Sequence, residues 1–248
     1  MMPISIRTDR APTPSPPAMS FTLTIDFNKP LALFPLNQCV LLPHTTAPLH
    51  IFEERYRAMT RDALDSAGLI AMAVFDGDDF KDDYEGRPPI RDHLCVGYIV
   101  QHDRFPDGRY NILLQGVARA KLREEVEPGA GGYRRAMLKP TERSAMEIDL
   151  DAQRQALEVL LEDDALQQLA GVTAVQNWAT PELPTAALTD LAWNTLSRDR
   201  EERYGVLAEP CPIRRADRLI SMLRQTRRTL QIAQRMGPCT GEHGLGLN

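Results

Sequence analysis

The chain has 248 residues, 43% of them hydrophobic and 25% charged, with 15 glycines and 19 prolines; this is globular composition and excludes global disorder, collagen-like repeats and a continuous coiled coil. Its 29 basic against 34 acidic residues leave a formal charge of −5, which disfavours a nucleic-acid binder that works by bulk charge. Lys29, Lys81, Lys121 and Lys139 are the only lysines, so chemistry that needs a lysine base or Schiff base has few places to occur.

In chain order, residues 1–20 hold Pro3, Pro12, Pro14, Pro16 and Pro17 among few apolar groups and read as a disordered tail that cannot repay its ordering entropy. From Phe21 to residue 143 the pattern is β-rich. FTLTIDF (21–27) alternates Phe21, Leu23, Ile25 and Phe27 on one face, a period of two that predicts a strand. A helix is predicted from Phe52 to about Ala67, with Phe52, Tyr56, Met59, Ala63 and Leu64 on one stripe and Gly68 closing it. LIAMAVF (69–75) is a continuous apolar run that fits a strand buried on both faces. LCVGYIVQHD (94–103) and RYNILLQG (109–116) are predicted strands joined through Pro106-Asp107-Gly108, a hairpin turn signal. Weaker alternation follows in VARAKLREEVE, and YRRAMLK (133–139) is a last predicted strand.

Over 144–237 the period becomes helical. Asp149 or Asp151 can cap a helix running towards Leu169, Val172–Thr180 can form a short one, and Leu188, Leu191, Ala192, Thr195 and Leu196 fall on one face. A last helix opens at Pro212 and is stopped by Gly237-Pro238, leaving 238–248 as a flexible tail. A run of strands with one helix, followed by a run of helices, predicts an α+β fold: an antiparallel barrel with a helical appendage.

The motifs of nucleotide and peptidase chemistry are missing. No glycine is followed by lysine, so there is no P-loop, and neither G-x-S-x-G nor G-x-G-x-x-G occurs. No H-E-x-x-H or CxxC pair is present, and the acidic stretch around Asp76-Gly77-Asp78-Asp79 has its glycine in the wrong place for an EF-hand. No catalytic residue, metal or cofactor is therefore expected. Cys39, Cys95, Cys211 and Cys239 stand far apart, which suits a reducing compartment. With no apolar run near ~20 residues and no signal-peptide core at the start, the expectation is a cytoplasmic protein without a membrane partner.

Three stretches carry a resemblance when taken together. The first is Leu31-Ala32-Leu33-Phe34-Pro35-Leu36, then Val40-Leu41-Leu42-Pro43, then Pro48-Leu49-His50-Ile51-Phe52-Glu53-Glu54-Arg55-Tyr56. The second is Val96-Gly97-Tyr98-Ile99, Pro106-Asp107-Gly108-Arg109-Tyr110 and Gly116-Val117-Ala118-Arg119. The third is the helical run Leu188–Arg203 leading into Arg214–Leu223. Over roughly 29–235 this resembles the N-terminal, substrate-binding domain of the Lon proteases, and more closely the stand-alone bacterial proteins made of that domain only. The resemblance implies a PUA-like β pseudo-barrel followed by an α-helical bundle. It also implies recognition of protein segments without the ATPase and Ser–Lys peptidase modules, which do not follow in this chain.

The function so implied is a non-catalytic binding module. Its partners would be unfolded or exposed apolar protein segments, together with a full-length protease that could use what it holds. Tyr56, Tyr98 and Phe105 are the candidate aromatic anchors, because aromatics dominate hot spots, and Arg55 and Arg119 are the candidate polar contacts. Three of them have a competing structural reading: Arg55 and Tyr56 open the first helix, and Arg55 or Arg119 can pair with a carboxylate inside the fold. The alternative function is RNA binding through the last helix, where Arg214, Arg215, Arg218, Arg224, Arg227, Arg228 and Arg235 face only Asp217 along the sequence.

Overall fold

A computed structural model describes residues 23–37, 39–77, 81, 86–142 and 148–236. The expected tails at 1–20 and 238–248, the helix stop at Gly237-Pro238, the 143/144 boundary, Cys239 and the carboxylates of Asp78, Asp79, Asp82, Asp83 and Glu85 lie outside them. Strands β1 (Leu31–Leu36), β2 (Thr46–Ile51), β3 (Leu69–Val74), β4 (His93–Arg104), β5 (Tyr110–Val126) and β6 (Arg135–Pro140) form one sheet in the order β2-β5-β4-β3-β1-β6. The 17-residue β5 pairs with β2 through its first half and also with β6 through its second. Helix α1 (Glu54–Leu64) lies between β2 and β3; α2 (Asp151–Leu161), α3 (Asp164–Gln167), α4 (Val172–Trp178), α5 (Thr185–Leu196), α6 (Arg200–Ala208) and α7 (Pro212–Met236) follow the sheet.

This corrects the expected architecture. The strands make a mixed six-stranded sheet, with β1 and β3 parallel, and not the PUA-like pseudo-barrel of antiparallel strands. The cause is local: β2 and α1 together form the crossover between β1 and β3, and parallel neighbours require such a connection. A single intervening helix had too little weight against a long run of strands to signal it.

Two further expectations change. Leu23 to Asp26 form no strand; Ile25 and Phe27 instead pack, partly buried, against the sheet. The alternation in 21–27 thus reports a half-buried extended segment, and β1 takes the place beside β3. The strands β1 and β2 were legible only as apolar stretches, because Pro35 and Pro48 interrupt them and proline removes a ladder donor.

The sheet is covered on both faces. β3 is buried throughout: Ile70, Met72 and Val74 join the larger core, whereas Leu69, Ala71 and Ala73 join a second one with Leu33, Leu94, Val96, Ala136 and Leu138. The larger core is continuous from the sheet (Phe34, Cys95, Ile112, Leu114) through α1 (Tyr56, Met59, Ala63) to the helices (Leu157, Leu160, Leu188, Trp193, Leu219, Leu223). Each Leu, Ile, Phe or Met among them, fully buried, contributes about 1.5–3 kcal/mol.

Four charges cross this junction, three of them buried (Arg119, Asp190 and Arg215) and one, Glu142, half-buried. Arg119 on β5 makes a two-pronged pair with Asp190 on α5, at 3.0 and 2.6 Å, and also donates to Glu142 at 3.0 Å. Arg215 on α7 donates to the same Glu142, to the Glu209 carbonyl at 2.9 Å, and lies 3.5 Å from Asp190. Two guanidiniums and two carboxylates leave the group neutral, which is the condition for burying it. Burial works against the charge on Arg119, but Asp190 and then Glu142 outweigh it and hold the guanidinium's pKa above its usual value.

Candidate functional site

The end of β2 and the β4–β5 hairpin together build an aromatic shelf. Strand alternation buries Ile51, so His50 and Phe52 point outward; Phe52 is 61% exposed. The chain is still extended at Glu53, the cap of α1, and Phe52 precedes the helix instead of joining its buried stripe. This corrects the expectation that Phe52 is core. The His50 ring is held by a 2.7 Å hydrogen bond between Nδ1 and Asn111 Oδ1. It stacks on Phe52 at 6.1 Å between centroids and meets Phe105 edge-on at 6.2 Å.

Phe105 is placed by the turn. Its N–H donates to the Arg109 carbonyl and the Gly108 N–H to its own carbonyl, both at 2.9 Å. Gly108 takes φ +84°, a conformation that side chains with a Cβ resist. Asp107 accepts from the Arg109 N–H at 3.0 Å and pairs with its side chain at 2.7 Å. That backbone bond first, then the guanidinium, holds the Asp107 carboxyl below the usual carboxylate range.

Beside the shelf runs a groove of about 750 Å3. One wall is the start of α1 (Glu53, Glu54, Arg55, Arg57, Ala58, Arg61), another the hairpin (Arg104, Gly108, Tyr110), and a third the β5–β6 loop at 130–132. Arg57 Nε donates to the Gly108 carbonyl at 2.9 Å, fixing helix to hairpin. Arg55 pairs with Glu53 at 3.1 Å and lies 4.7 Å from the Tyr56 ring, and Arg61 pairs with Asp62 at 3.2 Å. Arg104 lies 5.8 Å from the ring of Tyr110. Among the described residues, neither Arg57 nor Arg104 has a carboxylate within ion-pairing distance.

Of the five residues singled out in the sequence, the structure brings Arg55 and Phe105 to this region. Tyr56 is buried and packs edge-to-face on Phe34 at 4.6 Å, its ring turned into the core. Tyr98 is 37% exposed but sits six residues up β4 from Arg104, about 20 Å along the strand, with its ring over Gly68. Arg119 is 1% exposed and engaged with Asp190 and Glu142. Sequence reasoning missed Phe52 as a surface group, His50 as its neighbour, and Arg57 and Arg104 as groove residues. Recognising β2 would have found the first two, since an outward His50 and Phe52 follow from its period.

The arginines of α7 do not form one solvated face. Arg215 is fully buried, Arg214 pairs with Glu209 at 3.0 Å, and Arg227 with Asp163 at 3.5 Å. Their acidic partners come from other elements and were invisible along the helix sequence. Burial raises the Cys95 thiol to about 12 and also raises Cys39, keeping both protonated and poorly nucleophilic. Among the described residues no group of three or more His, Cys, Asp or Glu could hold a metal ion, and no helix is long and apolar enough to cross a membrane.

Comparison with known proteins assigns this architecture. The family model of the ATP-dependent protease La (LON) substrate-binding domain matches residues 30–225. A Lon protease from Dictyoglomus thermophilum is 29% identical over 115 residues, which are 42% of this chain and 13% of that protein; the match therefore spans only a small part of the curated relative. The crystal structure of a Lon N-terminal domain protein from Xanthomonas campestris superposes with a TM-score of 0.57 at 22% identity, covering 78% of this chain and 98% of that one. The N-terminal domain of a Mycobacterium avium complex Lon protease gives 0.61 at 17% identity, with 79% and 98% covered. At these identities the two structures speak to the fold.

Proposed function

The chain belongs to the family of the Lon protease substrate-binding domain, which is distinct from the ATPase and peptidase parts of those proteases, and from that premise we propose that it captures exposed apolar segments of other polypeptides without acting on them chemically. The observation that carries this reading is the shelf of His50, Phe52 and Phe105, with Phe52 61% exposed and with Glu53 and Arg104, the chain neighbours of Phe52 and Phe105, lining the groove. An aromatic ring left in water beside a concave surface is a ready anchor for an apolar side chain. Covering a few hundred Å2 at about 25 cal/mol per Å2 leaves micromolar-scale affinity after association costs.

On this reading Phe105 and Arg55 touch the client together with Phe52, and Tyr98 extends the contact along β4 for longer segments. Tyr56 and Arg119 serve from beneath, one seating α1 and the other joining sheet to helices. The client would then pass to a full-length protease of the same family. The cytoplasm is the proposed site of action, which the unpaired Cys39, Cys95 and Cys211 favour.

The test is binding of the purified chain to unfolded casein and to an array of apolar peptides. Affinity in the micromolar range is expected, weakened at least ~10-fold in Phe52→Ser and Phe105→Ser. No binding at tens of micromolar, or full binding by both variants, overturns the reading. The RNA alternative predicts instead a gel shift that fades steeply with salt; with Arg215 buried and Arg214 and Arg227 each paired with a carboxylate, and the chain at −5 overall, none is expected.

A further inference from the structure

The groove next to the aromatic shelf has a charge character of its own. The chain as a whole carries −5, yet Arg55, Arg57, Arg61 and Arg104 line this one concavity against Glu53 and Glu54. Arg55 and Arg61 have carboxylates beside them in Glu53 and Asp62. Among the described residues neither Arg57 nor Arg104 is in an ion pair, although Asp107 lies near enough to Arg57 to feel its charge; both line the same groove. The bond from Arg57 Nε to the Gly108 carbonyl fixes that guanidinium against the hairpin turn, and an arginine carries five N–H donors, of which this bond uses one. Arg104 rests against the Tyr110 ring, an arrangement that orients a guanidinium without neutralising it. Arginine binds a carboxylate with paired hydrogen bonds, and Arg104, outside any ion pair and lining the same groove as the fixed Arg57, offers a cationic place for one.

Resting on the client-binding reading above, we infer that the groove selects among apolar segments, taking those in which an Asp or Glu lies close to the apolar side chain seated on the shelf. The carboxylate enters between Arg57 and Arg104 while the apolar group covers Phe52 and Phe105. Selection is electrostatic, so it adds discrimination to an affinity supplied by the aromatic contact.

The experiment uses the full chain and two fluorescent peptides that differ only in one residue: a Phe- and Leu-containing segment with a neighbouring Glu, and the same segment with Gln. Fluorescence anisotropy is expected to show the Glu peptide binding roughly three- to tenfold tighter, as one or two partly exposed ion pairs provide. The preference should shrink as salt is raised. In Arg104→Gln the Glu-to-Gln affinity ratio should fall at least twofold towards one, with Arg57 left in place; circular dichroism verifies that the variant is folded. Arg228→Gln, on the exposed side of α7, should keep the wild-type ratio. Equal binding of the two peptides by the wild type, or an undiminished ratio in Arg104→Gln, overturns this inference and leaves the capture of apolar segments standing. Failure of both peptides to bind overturns the capture reading, and this inference with it.

Discussion

Asp190 has no exposure to water, and two guanidiniums depend on it. Replacing it by Ala would leave Arg119 and Arg215 sharing Glu142 in a low-dielectric interior. Removing one partner of a buried pair costs about 3–5 kcal/mol, so Asp190→Ala should lower the urea midpoint severely. The equivalent change at exposed Asp217, which accepts a 3.1 Å bond from Gln153 and has no ion pair among the described residues, should cost no more than about 0.5 kcal/mol. Gly116 makes a second residue-scale case. A Cβ there would lie 2.1 Å from the Leu42 carbonyl oxygen, and the opposing atoms are backbone, fixed by bonds from His44 N–H to Gly116 and from Gly116 N–H to Thr45. Gly116→Ala should therefore destabilise by roughly 1–3 kcal/mol through forced backbone movement. The sequence carries a trace of this in the glycine itself, since glycine inside a strand goes with a bulge or a close approach, and both occur: the register between β4 and β5 shifts beside it. It could not mark Asp190, because a carboxylate on a helix reads the same whether a distant arginine faces it or water does.

At the scale of elements, helices were the more legible. The expected short helix at 172–180, the helix around Leu188 and the helix opening at Pro212 all form close to their predicted positions, since their apolar period and their stops are local. Capping was only partly read. The helix expected to run towards Leu169 breaks at Asp163, whose carboxylate accepts from Ala165 and Leu166 at 3.1 and 3.4 Å and starts α3. The run expected over Leu188–Arg203 breaks likewise at Asp199, which caps α6 through Glu201 and Glu202 at 2.7 and 3.2 Å. Asp199→Ala should cost about 1 kcal/mol, read as a lowered thermal midpoint, while Asp199→Asn should retain most of the stability because the amide oxygen still accepts. Equal loss in both variants would place the contribution elsewhere. Strands were less legible, because β1 and β2 each carry a proline and β2 gains its identity only from β5.

For the whole molecule, the continuous core beneath the sheet and helices predicts cooperative unfolding. Fluorescence of Trp193, buried in the helical part, should change over the same urea range as the far-ultraviolet signal of the whole chain; separated transitions would show that sheet and helices unfold independently. Glu142 gives this junction a pH dependence. Burial raises its pKa, but Arg119 and Arg215 together outweigh burial and hold the carboxyl below the usual glutamate value. The ionised form therefore stabilises the fold above the unfolded-state pKa of about 4.3, and that contribution is lost as pH falls through the lower folded-state value. Wild type should exceed Glu142→Gln in stability near neutrality, and the two should converge as pH falls below about 4. A gap that stays constant with pH would refute the role of ionised Glu142.

The sequence alone determined the succession from strands to helices, the doubly buried β3, the Pro-Asp-Gly hairpin and the family resemblance, because each is written in residues near one another along the chain. The tertiary structure alone decided that β1 and β3 run parallel in a mixed sheet, that Arg119 serves the interior, and that Phe52 faces water beside Phe105. Those outcomes depend on pairings between residues far apart in sequence, such as Arg119 with Asp190 and His50 with Asn111. Period and composition along a chain carry no record of which distant group will meet which.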